Sequence, residues 1–400
     1  MNPIKVLVFT SLYPNNIWPN NNVFVKERMS TVSRMDGIEL KVIAPVPYYP
    51  PIQSGWRQNF SKVKRQEVLA GVEVYHPRYF ITPKIGMVLY GLLMFLSVLP
   101  VVKKIRKEFD FDLIDAHYVY PDGFAAVLLA DFFRIPVVVS ARGTDINLYK
   151  EFPLIRQLLR HTLLKADKAI SVCQALKDEM IQLGIPAAKI SVIPNGVDSS
   201  KFYPLSKEVA KRNLGIPTDK KLILSVGSLI PRKGFDLLIR AIKVLGDRYH
   251  KKDLFLAIVG EGKLRGDLEK LISSLNLDEH VFLVGAKPHQ ELYCWYNAAD
   301  LFCLASSREG WPNVVMESLA CGTPVVATEV WGVPEIIQSD KIGLLAKRSV
   351  PELAKAISLA LQRQWNSPEI VEYVRENTWN RVAFSVCQVF KSVLQPNGLQ

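Results

Sequence analysis

Two glutamates, Glu309 and Glu317, stand in the stretch Arg308-Glu-Gly-Trp-Pro-Asn-Val-Val-Met-Glu317. Pro312 and Asn313 suit the entry to a helix whose apolar residues Val314, Val315, Leu319 and Ala320 can face a sheet. Glu309 then lies in the loop and Glu317 about one turn into the helix, which brings a second carboxylate near the same rim. Two carboxylates around a helix N-terminus can bind hydroxyl groups while the free amides take an anion. The plainer alternative leaves both glutamates solvated, or has them complement the helix dipole.

A second element carries positive charge. Gly227-Ser228-Leu-Ile-Pro-Arg232-Lys233-Gly234 lies between an apolar run, Leu222 to Val226, and the helix-compatible stretch Phe235 to Leu245. Arg232 and Lys233 beside a glycine-containing loop suit a diphosphate, whose charge grows as a glycosidic bond breaks. A solvated basic turn is the alternative.

These residues need elements to position them. In the first half of the chain Lys5 to Phe9, Leu40 to Ala44, Leu113 to His117, Pro136 to Ser140, Ala169 to Val172 and Ile190 to Ile193 are short and almost continuously apolar. Strands buried on both faces read this way, so a doubly wound, mostly parallel sheet is expected. The rhythm restarts with Leu222 to Val226, Leu254 to Val259, Val281 to Val284, Leu301 to Leu304 and Pro324 to Ala327. The fold class is α/β with two domains, 1–200 and 201–378, linked near Asp198 to Lys207. A helix over 379–400 has the apolar stripe Val382, Val386, Val389, Phe390 and Val393, and packing back on the first domain is one option for it.

Ligands of open α/β sheets bind beyond the carboxyl ends of the strands. His117 closes one strand, Arg142 and Asp145 follow the next, and Asn195 follows Ile193. In the second half, Gly227 and Ser228 follow Val226, Gly260 and Glu261 follow Val259, Ala286 and Lys287 follow Val284, and Glu309 follows Leu304. Both halves direct their polar residues to one rim, and a cleft between two such rims is the expected site.

Composition bounds the rest. The 400 residues are ample for two cores. Their five cysteines are odd in number and contain no C-x-x-C pair, so neither a disulfide framework nor a zinc site is expected. The opening residues carry too short an apolar run for a signal peptide, which points to the cytoplasm. A net charge of +12 suits nucleic acid, anionic lipid or a polyphosphate ligand. No arginine-rich block, zinc-finger spacing or aromatic RNA-binding signature accompanies it, so nucleic acid is not expected.

The run Ile85 to Val102 has no charge and is followed by Lys103, Lys104, Arg106 and Lys107. It reaches the lower length bound of a membrane span. A crossing would separate the flanking strands Val72 to Tyr75 and Leu113 to His117, so a span is rejected. Two readings remain open: a helix partly buried in the first domain, or a surface helix dipping into anionic lipid at the cytoplasmic face of the membrane.

Taken together, the residues resemble the retaining glycosyltransferases of family 4, which have the GT-B architecture of two facing Rossmann-like domains. The resemblance spans nearly the whole chain and is carried by Glu309 and Glu317 with Gly310, Pro324 and Gly332-Val-Pro-Glu335 in register. Leu12-Tyr-Pro14 and Asn22-Val-Phe-Val25 also resemble members that build bacterial surface polysaccharides. The resemblance implies that the first domain takes the acceptor and the second the donor, a nucleoside-diphosphate sugar with UDP as the expected nucleotide. Glu317 would bind the ribose hydroxyls, Glu309 would sit at the donor sugar, and Lys233 with Arg232 would hold the diphosphate. Gly227, Ser228 and the amides of Asn313 and Val314 would complete that clamp. Gly260, Glu261, Ala286 and Lys287 would border the base, while His117 approaches the sugar and Asn22, Arg142, Asp145 and Asn195 line the remaining cleft. The chain departs from the family pattern twice: Ser228 stands where arginine is common, and Asn20-Asn-Asn22 where glycines are.

The expected chemistry is transfer with retention, without metal or other cofactor, to a polysaccharide or lipid-linked glycan. The basic groups take the place of a divalent cation, and no protein nucleophile is needed. Two other functions fit the same residues: a nonhydrolysing sugar-nucleotide epimerase, and a non-enzymatic basic protein that binds lipid or nucleic acid.

Overall fold

Val6, Leu7, Val8 and Phe9 are completely buried, and burial on both faces is why strand β1 (Ile4–Phe9) shows no polar alternation. The computed structural model describes residues 3–49, 55–81, 86–249 and 253–395. Its contacts divide the chain into two units, Met1–Asn195 with Trp379–Gln400, and Gly196–Thr378.

In the first unit β2 (Ile38–Ile43), β3 (Val46–Pro47), β4 (Gln66–Leu69), β5 (Val72–Tyr75), β6 (Arg78–Tyr79), β7 (Leu113–His117), β8 (Val137–Ala141), β9 (Lys168–Ser171) and β10 (Ile190–Val192) follow β1. The main sheet has the order β10-β9-β8-β7-β1-β2-β5-β4. All its neighbours are parallel except β4, which is antiparallel to β5. The turn joining them uses Ala70 and Gly71, both at positive φ, as a tight two-residue hairpin requires. Short β3 and β6 pair separately.

The helix Tyr90–Glu108 connects β5 to β7. Both strands lie in one sheet and run the same way, so this helix is a crossover within the unit and spans no bilayer. Ile85, the first residue of the uncharged run, lies outside the described residues. On the other side, the helix Trp379–Leu394 packs against the helix Val23–Val32, with Val382, Val386 and Phe390 in one cluster with Val25 and Met29. Its stripe recurs at steps of three and four because those positions share a helix face.

The second unit contains β11 (Lys221–Val226), β12 (Leu254–Val259), β13 (Val281–Gly285), β14 (Leu301–Leu304), β15 (Val325–Thr328) and β16 (Gly343–Ala346). Their order is β13-β12-β11-β14-β15-β16, all parallel. This is the Rossmann order, reversing between β11 and β14, where a crevice opens at the carboxyl ends. Phe202, in the stretch read as a linker, is buried in this unit's core beside Tyr296 and Phe302. The entering and leaving segments meet here in an isolated bridge, Val197 with Thr378, and the Val197 amide donates to the Asn377 carbonyl at 2.8 Å.

Candidate active site

Three loops of the second unit are clipped together where the strand order reverses. The loop after β11 takes Val259 O through the Gly227 amide at 3.0 Å and Glu261 O through the Leu229 amide at 2.9 Å. Its far end accepts the Ser307 amide at Arg232 O, 2.8 Å. Glycine is required at two of these approaches. A Cβ on Gly260 would stand 1.9 Å from Gly227 O, and one on Gly234 would stand 2.2 Å from Ala305 O. Both residues also hold positive φ, at 150° and 66°.

This packing delivers two cations to one carboxylate. Lys233 Nζ donates to Glu309 Oε1 at 2.6 Å, and Ser306 Oγ donates to the same oxygen at 2.7 Å. Arg232 Nη1 donates to Glu309 Oε2 at 3.0 Å and to Arg308 O at 2.8 Å. Burial pushes the Glu309 carboxyl up, but Lys233 and Arg232 outweigh it and hold the group below its ordinary range. The result is an ionised, buried glutamate with a net positive collar. Such a collar can bind an anion at low dielectric cost because its geometry is already set.

Glu317 sits in the helix Asn313–Ala320, which follows β14 and has no side-chain cap at its start. It too is buried. Its Oε2 accepts from the buried Tyr296 hydroxyl at 2.8 Å, and its Oε1 lies 2.9 Å from His289 Nε2. Burial and the Glu317 charge together drive the Tyr296 hydroxyl far above its ordinary range, so it stays protonated and donates. His289 packs edge-on against Phe202. Ser306 and His289 had no signal in the sequence beyond following strands, and Tyr296, within the helix Leu292–Ala298, had none. Nearby, Arg308 Nε and Trp311 Nε1 are buried without a partner.

The remaining residues of this rim are more open. Ser228 and Ala286 are exposed, and Lys287 is half-buried. Glu261 is paired to Arg265 at 2.8 Å and so turns its carboxylate along the surface. Asn313 and Val314 open the helix of Glu317, both half-buried.

In the first unit the polar residues at strand ends form an interior network. His117 has no exposed surface. Its Nδ1 accepts from Arg142 Nη2, and its Nε2 lies 3.1 Å from Asp115 Oδ2, out of hydrogen-bond alignment. Burial depresses the His117 imidazole to about 4, against the pull of Asp115 and with help from Arg142. His117 is therefore neutral, and the open rim position read from the sequence is not the one its side chain takes. Arg142 also donates to Asn195 Oδ1 at 3.1 Å. Asp145 does not pair with the Arg142 guanidinium. It accepts the amides of Val119 at 2.9 Å, Arg142 at 3.0 Å and Gly143 at 2.8 Å, which fastens the loops after β7 and β8. Asn22 takes the left-handed conformation, φ 51°, at the start of the helix Val23–Val32.

Among the described residues no three His, Cys, Asp or Glu side chains are grouped so as to hold a metal ion. The chain has one D-x-D triplet, Asp110-Phe111-Asp112. It enters β7 at the amino end, opposite the rim. Arg106 pairs with Asp110 at 2.8 Å, and the Lys5 amide donates to Asp112 at 2.7 Å.

Residues 206–378 match the family described as glycosyl transferases group 1, and residues 36–201 match glycosyltransferase family 4. A Bacillus subtilis protein assigned to teichuronic acid biosynthesis as the glycosyltransferase TuaC is 29% identical over 93% of each chain. Among solved structures, sucrose-phosphate synthase from Thermosynechococcus elongatus superposes with a TM-score of 0.79 at 19% identity, covering 99% of this chain and all of that one. Anabaena HepE, determined in complex with UDP, has a TM-score of 0.73 at 18% identity over 98% of this chain and 100% of its own. With a Rossmann-ordered sheet in each unit and both halves matched to transferase families, the chain belongs to the group 1 glycosyltransferases of GT-B fold, enzymes that move a sugar to an acceptor.

Proposed function

We propose that this glycosyltransferase uses a nucleoside-diphosphate donor, UDP-linked, and transfers its hexose with retention and without a metal ion. The observation that carries the reading is the shared carboxylate of Glu309, held by Lys233 and Arg232 where the sheet order reverses. A departing diphosphate gains negative charge as the C1–O bond of the sugar breaks. Cations already fixed beside that position stabilise the transition state more than the ground state.

In this reading Glu317 receives the ribose hydroxyls, its carboxylate kept in place by Tyr296 and His289. Gly227, Ser228, Asn313 and Val314 offer backbone groups to the diphosphate, and Gly260, Glu261, Ala286 and Lys287 border the base. Glu309 faces the sugar and neutralises part of the collar, so that binding of the donor does not trap the product. The acceptor oxygen bonds to C1 on the face the diphosphate leaves, and its proton passes to a phosphate oxygen. His117, neutral and buried, acts as a positioning residue through Arg142, with Asp145, Asn195 and Asn22 shaping the loops beside it.

The kinship with the TuaC protein supports a polysaccharide or lipid-linked glycan as acceptor, and the UDP complex of HepE supports the nucleotide. The test is a panel of UDP-, GDP- and ADP-sugars, read by calorimetry for binding and by nucleotide release with lipid-linked acceptors. NMR of the product reports the anomeric configuration, and the assay is repeated in a chelator. Failure to bind any UDP-sugar overturns the donor, an inverted product overturns the stereochemistry, and loss of activity in chelator overturns the metal-free step.

A further inference from the structure

The helix Tyr90–Glu108, with its leading turn Met87–Leu89, lies beside the helix Phe124–Phe133, which in turn packs against Pro153–Lys165. The first two are drawn close at Gly91, where a Cβ would come 2.6 Å from the Phe124 ring. Gly91, Met94, Val98, Val102 and Ile105 form the buried side of the long helix. Its opposite side runs Leu92, Leu96, Pro100, Lys103, Lys107, at steps of three and four that keep these residues on one face.

That outer stripe inverts the ordinary pattern. A helix covering a sheet usually presents polar residues to water, yet Leu92 is 43% and Leu96 55% exposed. Only 28% of the most apolar eighteen-residue window is buried. Leu89 extends the stripe at one end, while Phe132 on the second helix and Leu154 on the third add exposed apolar surface. The same three elements expose Lys103, Lys104, Lys107, Arg156, Arg160 and Lys165, against Glu108 and Asp131.

We propose that this face of the first unit docks on an anionic membrane surface, Leu92 and Leu96 entering the acyl boundary and the lysines remaining among the headgroups. The composition selects lipid over a protein partner. Protein interfaces are depleted in lysine, whereas a helix lying in the interfacial plane combines a leucine row with lysines that extend to anionic phosphates. The long helix is apolar toward its start and basic toward its end, so inserted side chains and headgroup contacts come from one rigid element. This surface belongs to the first unit, and the donor residues to the second.

The test is co-sedimentation of the full chain with vesicles of phosphatidylcholine alone or mixed with phosphatidylglycerol. Binding to the mixed vesicles is expected to exceed binding to neutral ones and to fall as salt rises. Each lysine near such a surface contributes about fivefold, so K103E/K107E is expected to weaken binding by roughly tenfold or more. L92E/L96E is expected to weaken it similarly while retaining the thermal midpoint, because both positions are already exposed. K347E/K355E, the same charge change on exposed lysines of the second unit, is expected to leave binding within about twofold. Failure of the wild type to bind anionic vesicles overturns the proposal, as does equal loss in K347E/K355E. So does a light-scattering result in which L92E/L96E dissociates a dimer without moving vesicle binding, which would make the face a self-association surface.

Discussion

Lys233 reaches Glu309 at 2.6 Å from a loop that leaves β11, while Glu309 itself follows the neighbouring strand β14. The contact thus ties together the two strands between which the sheet order reverses. Lys233 has little freedom there, because its stem passes over Gly227, where a Cβ would lie 3.2 Å from the lysine Cε. Replacing Lys233 with methionine keeps the stem and removes the charge. Turnover is expected to fall by about 10² to 10³, the range seen when one fixed group stabilising a transition-state charge is removed. Steady-state kinetics with saturating donor checks this, and an unchanged kcat would place the diphosphate elsewhere.

Glu309 makes the collar pH-sensitive. Its carboxyl is held lower in the folded chain than in the unfolded one. The unfolded state therefore binds the proton first, and Glu309 contributes stability that is present above its ordinary value of 4.5 and lost as pH falls through the folded value. Glu309→Gln removes this component. The difference in thermal midpoint between wild type and variant is expected to be largest near neutral pH and to shrink on acidification below 4.5. A difference independent of pH would mean that Lys233 and Arg232 do not shift the carboxyl on folding, and a difference of the opposite slope would mean that it is neutral in the fold.

Glu317 separates binding from turnover. Its loss leaves the buried Tyr296 hydroxyl without its 2.8 Å acceptor, a cost of about 1–3 kcal/mol for an orphaned buried group. Glu317→Ala is expected to lower stability by that amount and to weaken UDP binding by roughly tenfold or more, the equivalent of one charge-assisted hydrogen bond. Adding Tyr296→Phe to the variant removes the orphaned hydroxyl and is expected to restore part of the stability but none of the binding. Calorimetry with UDP and thermal unfolding together check this, and recovery of both would make Glu317 purely structural.

How far the sequence carried this reading follows from where each signal resides. β1, β11 and β14 were legible because both faces are covered, which favours almost continuous apolar runs. β16 is four residues led by Gly343, and β4 is a half-exposed edge strand, so neither has a run to read. Glu309 and Glu317 were legible through their spacing. Their partners were not: Ser306 stands three residues before Glu309 with no pattern to mark it, and tertiary packing brings in Tyr296 from the helix Leu292–Ala298 and His289 from the turn before that helix. The same limit applies to His117. Its place at a strand end is written in the chain, but its burial depends on Arg142 arriving from β8 and Asn195 from beyond β10.

Two buried groups of the first unit, His117 and Asp122, have titrations that oppose each other. Burial depresses His117 from 6.5 to about 4, so the unfolded chain takes up this proton first. His117 contributes stability that is full above about 6.5 and is lost as pH falls toward about 4. Asp122 behaves in reverse. Burial raises its carboxyl from 3.8 to about 7, even though the Ser11 amide and hydroxyl favour the charged form. The folded chain holds this proton longer, so the contribution of Asp122 is full below 3.8 and lost as pH rises toward about 7. Across their common window the two slopes partly cancel. His117→Asn removes the rising slope and is expected to give a thermal midpoint that, relative to wild type, falls as pH increases from 4 to 6.5. Asp122→Asn keeps the hydrogen-bonding shape and is expected to give the opposite trend. Each relative change should span roughly 5 °C or more over the window for a unit of this size. Calorimetric scans at half-unit pH steps check both signs at once. Offsets that stay constant with pH would show that neither group changes its proton on unfolding, and two slopes of the same sign would require one of them to be charged where burial holds it neutral.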